Sequence, residues 1–165
     1  MMVVATGFVD DVVGDSELGA FGVGRRGDYP SSRSDCLIVC GDPAERKRLA
    51  IAAALAGWEN STRPANRFEL REAADGDFLL AFIDICSPLG ERVSDTIEIA
   101  EELAARPETL TVISGSEGSI DDELWARQLG IWLYLPGCSH GDSLTSLFVE
   151  ARRLCLPAAM SLGND

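Results

Sequence analysis

Three cysteines, Cys40, Cys86 and Cys138, each fall at the carboxyl end of a strand-like apolar run, with Asp84 close to Cys86 and the sole histidine, His140, close to Cys138. Soft thiolates with an imidazole suit zinc or a redox switch, so a thiol- or metal-dependent sensor using Cys40, Cys86 and Cys138 is one chemistry that these residue types allow. Against it, the spacing contains no CxxC pair, and cysteine also serves as a small buried apolar residue. Other chemistries lack their parts. The first apolar run is followed by Gly41-Asp42-Pro43, which supplies neither a GxGxxG turn nor a P-loop. There is no nucleophile elbow, and His140 has no obvious acid partner in the chain. The expectation is a protein that is not an enzyme and does not bind nucleotide.

The elements that must position these groups follow from the apolar pattern. Cys36-Leu37-Ile38-Val39-Cys40 has the length and uniform hydrophobicity of a buried parallel strand, and Asp42 with Pro43 starts a helix over 44–56 whose inward face is Leu49, Ala52, Ala53 and Ala56. A weak strand is expected around 58–62 and a short helix over 65–74. Phe78 to Ile83 reads as a central strand ending at Asp84, and Leu110 to Ile113 as a fourth strand ending at Ser114. Between them a helix over 92–106 presents Val93, Ile97, Ala100, Leu103 and Ala104 at helical spacing. A helix over 120–129 carrying Trp125, a fifth strand over 131–135, and a last helix over 142–156 with Leu144, Leu147, Phe148, Ala151 and Leu154 inward complete the series. Five strand–helix alternations predict an α/β fold, a doubly wound five-stranded parallel sheet. In such sheets ligands meet the carboxyl ends of the strands at the switch point. Those ends carry Cys40, Gly41 and Asp42, then Asp84 and Cys86, then Ser114, then Pro136, Gly137 and Cys138.

With 14 basic against 27 acidic residues the 165-residue chain has a formal charge of −13, so nucleic acid and anionic membrane surfaces are repelled. The apolar run from Met1 to Val9 is too short to span a bilayer and is closed by Asp10 and Asp11. An odd number of cysteines in a chain large enough to need no staples, with no leader-like segment, points to a reducing cytoplasm. Residues 1–34 are rich in glycine and acid and lack a hydrophobic period, which predicts a disordered or loosely ordered flexible tail. The domain is expected over 35–157, with a short tail over 158–165.

The stretch from Cys36 to Leu156 resembles the receiver domain of two-component response regulators, the chemotaxis-protein type of flavodoxin-like fold. The resemblance rests on Ile83-Asp84 followed by Ser87-Pro88, on Val112-Ile113-Ser114-Gly115, on Gly130 with Tyr134-Leu135, and on the order of these blocks. It implies a (βα)5 architecture and a signalling role. It makes Asp84 the counterpart of the phosphoryl-accepting aspartate, and Ser114 and Tyr134 those of the hydroxyl and aromatic switch residues. Receivers also carry an acid pair for Mg²⁺ after the first strand, and this chain has Cys40 and Gly41 there, with Asp42 one residue on. Their lysine after the fifth strand is matched by Gly137, and the only lysine of the chain, Lys47, sits on the first helix. The expectation is therefore an atypical receiver with no cofactor, Mg²⁺ being weakly provided for at best. It would act on a protein partner or as a homodimer through the fourth helix, fifth strand and fifth helix, with Trp125, Trp132 and Arg152 as anchors. The chain is also similar to the atypical receiver at the front of pilus-assembly localisation ATPases, which is the alternative reading.

Overall fold

The computed structural model describes residues 35–90, 93–137 and 141–156. The tails expected at 1–34 and 158–165 lie outside them. Strands and helices alternate as β1 (Asp35–Val39), α1 (Pro43–Leu55), β2 (Asn60–Thr62), α2 (Arg67–Ala74), β3 (Leu80–Asp84), α3 (Val93–Ala104), β4 (Leu110–Gly115), α4 (Ile120–Gln128), β5 (Leu133–Pro136) and α5 (Gly141–Cys155). The five strands form one parallel sheet in the order β2-β1-β3-β4-β5. This is the doubly wound α/β fold expected from the sequence. The strand order reverses between β1 and β3, which places the switch point where Cys40, Gly41 and Asp84 lie.

Alternation along each strand splits the core in two. Cys36, Ile38, Cys40, Leu80, Phe82 and Val112 pack with Leu49, Ala53, Leu144, Phe148 and Ala151 of α1 and α5. Leu37, Val39, Ala81, Ile83 and Ile113 pack on the other face with Leu70 of α2, Ile99, Ala100 and Leu103 of α3, and Ala126 of α4. Burial on both faces is why these strands read as unbroken apolar runs. The helix starts are capped locally. Asp42 Oδ1 accepts the amides of Ala44 and Glu45 at 2.7 and 2.9 Å, with Pro43 in the first turn, and Asn66 does the same for Phe68 and Glu69. Among the described residues, no helix is long and apolar enough to cross a membrane.

Three expectations are corrected. Trp58 does not begin β2: the turn at Gly57, at φ 86°, brings its indole into the core, where Nε1 donates to the carbonyl of Phe148 at 3.0 Å, and the strand starts at Asn60. Val93 is exposed, because the inward stripe of α3 is Asp95, Thr96, Ile99, Ala100 and Leu103. Asp95 tolerates that position because the Arg67 guanidinium meets it at 2.9 Å. Leu154 is exposed as well, since the α5 stripe through Leu144, Phe148 and Ala151 continues at Cys155, whose thiol donates to the carbonyl of Leu79 at 3.3 Å.

The Phe82 and Phe148 rings stack across the sheet–α5 boundary with centroids 6.0 Å apart. Truncating one of them leaves a cavity in the larger half of the core. Phe148→Ala should lower unfolding free energy by about 3–5 kcal/mol in a urea titration. Phe68→Ala, at a position 86% exposed, should change it by less than about 0.5 kcal/mol.

Candidate functional site

Asp84 ends β3 and keeps only 1% of its surface exposed. A carboxylate so placed must find donors. Its Oδ1 accepts the amide of Cys86 at 3.0 Å, and the Cys40 thiol donates to Oδ2 at 3.3 Å. Ser114, fully buried, stands opposite Asp84 in the β3–β4 register, and its carbonyl takes the amide of Ile85 at 2.9 Å. The Asp84 side chain therefore joins the end of β1 to the loop after β3, and a backbone hydrogen bond joins that loop to β4.

Gly41 follows β1 and lies directly against the loop after β3. Its amide donates to the carbonyl of Ser87 at 2.5 Å. A Cβ placed at position 41 would stand 2.6 Å from that same oxygen and closer still to the carbonyl oxygen of Pro88. Across the sheet, Gly137 takes φ 76° and donates its amide to the carbonyl of Gly115 at 2.7 Å. A residue with a side chain would be strained in that conformation.

Tyr134 lies over the backbone of Gly115, in a slot that a side chain there would fill: a Cβ at position 115 would come within 2.7 Å of ring carbon Cε2. The phenolic oxygen is sealed from solvent and has no hydrogen-bond partner among the described residues. Burial, with the nearby charges of Asp122, Cys86 and Glu123, raises its pKa above the ordinary tyrosine value.

No protein-family model matches the sequence, and no curated protein matches it. Solved structures do match in three dimensions. A response regulator receiver domain protein (CheY-like) from Methanospirillum hungatei aligns over 73% of this chain and 97% of its own, at 18% identity and a TM-score of 0.55. A phosphorylated cyanobacterial phytochrome response regulator aligns over 76% of this chain and 95% of its own, at 14% identity and a TM-score of 0.57. The fold is the receiver fold. A putative pilus assembly-related protein from Burkholderia pseudomallei matches no better, at 18% identity, a TM-score of 0.56, and coverage of 75% of this chain and 94% of its own. The pilus-assembly alternative thus gains nothing over the general one. At these identities the likeness is one of fold, and the chemistry must be read from this chain's own residues.

A receiver fold implies a divalent cation beside its acceptor aspartate, and Mg²⁺ takes oxygen ligands. Cys40 offers a thiol, Gly41 offers no side chain, and Asp42 spends Oδ1 on capping α1. Loop carbonyls already abut Gly41. The residues at these positions do not fit the ion.

The thiols are dispersed. Cys40 is buried on Asp84, whereas Cys86 is exposed with its sulfur 3.6 Å from Ser116 Oγ, and Cys138 and His140 lie outside the described residues. Burial raises the Cys86 thiol above its ordinary value, against a hydrogen bond from Ser116 that lowers it, and burial pushes Cys155 up to about 11. Neither has the depressed pKa of a reactive thiolate. Among the described residues, no three His, Cys, Asp or Glu side chains gather to hold a metal.

The three expected anchors make separate contacts. Trp125 packs with the α3 side of the core and donates its indole N–H to Glu101 at 3.2 Å, while Trp132 packs with the α1–α5 side. Arg152 reaches over Gly57, its guanidinium carbon 3.4 Å from where a Cβ would stand. The large apolar side chains exposed on α4 are Ile120 and Leu124.

Gly115 and Gly41 make room for neighbouring groups that the sequence alone does not name. A glycine inside or just after an apolar strand is the available signal, since it marks close approach of another group. Arg46, whose Nη1 donates to the carbonyls of Cys40 at 3.0 Å and Pro64 at 3.3 Å, left no such signal.

In a Tyr29→Phe background Tyr134 is the only tyrosine. Its ionisation, followed by absorbance near 295 nm, should midpoint above the ordinary value of about 10. Unfolded chains release this proton first, so stability falls as pH rises from the ordinary value toward the raised one. Adding Gly115→Ala should turn the ring out and return the midpoint toward the ordinary value. An unchanged midpoint would show that the slot does not hold the ring.

Proposed function

We propose that the chain is a signalling receiver that works through protein contacts and independently of phosphorylation of Asp84. The observation that carries this reading is the state of Asp84: both carboxylate oxygens already accept hydrogen bonds from the chain, and among the described residues no cationic side chain pairs with it. Phosphoryl transfer to a carboxylate crowds negative charge, which catalysis meets with positioned cations. Gly137 offers none where the resemblance places a lysine, and Lys47 belongs to α1. Each electrostatic group missing from such a site costs roughly 3 kcal/mol of barrier, so two absences slow transfer by about four orders of magnitude.

The contact surface that suits this reading is α4, where Ile120 and Leu124 are 71% and 53% exposed. An exposed apolar pair next to β5, an edge strand of the sheet among the described residues, serves either a homodimer or a heterologous protein partner.

Incubation with acetyl phosphate and Mg²⁺, read by intact mass, should add no phosphoryl group over hours. Stoichiometric labelling that disappears in Asp84→Asn would sink the proposal. Leu124→Glu should weaken self-association at least tenfold while the circular dichroism spectrum stays that of the wild type. Undiminished association would move the contact off α4.

A further inference from the structure

We infer that Gly41 latches the turn after β1 to the loop after β3, and that this latch, rather than a cation, braces the surroundings of Asp84. The receiver thus stands in one conformation whatever the divalent-cation supply. The inference deepens the proposed function and rests on it in taking the site to be cation-free.

Three cross-links carry it. The Gly41 amide donates to the Ser87 carbonyl at 2.5 Å, joining the two segments through backbone alone. The Cys40 thiol and the Cys86 amide occupy the two oxygens of Asp84, so the same segments are joined a second time through a side chain. Arg46 ties the carbonyl of Cys40 to that of Pro64, which brings the loop after β2 into the same brace.

Gly41 is indispensable for a reason of space. It is not among the glycines with positive φ, so any residue could take its backbone conformation. What excludes a side chain is the pair of carbonyl oxygens at Ser87 and Pro88, with the Pro88 carbonyl carbon at 2.9 Å from the Cβ position. Both obstructing groups are backbone, which cannot rotate away as a flexible side chain would. An aspartate at 41 would meet those oxygens with its first side-chain carbon and set its carboxylate in their field. Restoring the acid at this position therefore does not restore a cation site. It breaks the latch.

The test compares wild type, Gly41→Ala and Gly41→Asp in the full chain, by thermal unfolding with and without millimolar Mg²⁺ and by electron paramagnetic resonance of free Mn²⁺. Wild type should show no Mg²⁺-dependent change in midpoint. Gly41→Ala should unfold about 5–10 °C lower, and Gly41→Asp at least as much lower, with no gain in Mn²⁺ binding. A Gly41→Ala midpoint equal to wild type, a wild-type midpoint raised by Mg²⁺, or submillimolar Mn²⁺ binding by Gly41→Asp would each overturn the latch. Should Gly41→Asp fail to fold, the Gly41→Ala midpoint decides alone. The two readings fail separately: labelling of Asp84 sinks the phosphorylation-independent function, and a neutral Gly41→Ala sinks the latch.

Discussion

A carboxylate withdrawn from water must be compensated by donors, and the carboxyl end of this sheet is organised around meeting that demand at Asp84. The residue is held there by β3, the central strand, whose neighbours on either side are β1 and β4. Its two oxygens are served by a thiol from the end of β1 and an amide from its own following loop. Neither donor is charged. Each carboxylate oxygen accepts one hydrogen bond. From this constraint the remaining geometry follows: the loop after β3 turns in toward β1, it meets Gly41, and the helix start at Asp42 is left to cap α1.

Much of the scaffold was legible because it rests on periodicity. Uniform apolar runs such as Leu80–Ile83 announce strands buried on both faces, and Pro43 after Asp42 announces a helix start. The errors sit where burial is decided by a partner remote in sequence. Asp95 is inward only because Arg67 of another helix neutralises it, and no pattern within α3 distinguishes it from Val93. Trp58 looked like the start of a strand, and its burial depends on a carbonyl of α5 ninety residues away in the chain.

The candidate site was legible in part, and for the opposite reason. Asp84 and Ser114 were placed by their position at strand ends, which topology then brings together in register. What the sequence could not convey is the work done by residues without side chains. Gly115 makes room for a phenol and Gly41 makes room for two carbonyls. A glycine states that something approaches closely without stating what, and the identity of the approaching group is a property of the fold.

The closeness of Gly41 to the backbone of Ser87 and Pro88 also bears on how such a domain can change over generations. A side chain at position 41 is excluded while the neighbouring loop keeps its present path, and a new loop path forfeits the hydrogen bond from the backbone amide of that position. Position 41 and the path of that loop are thus linked, so that a side chain at one has to be met by a new course of the other.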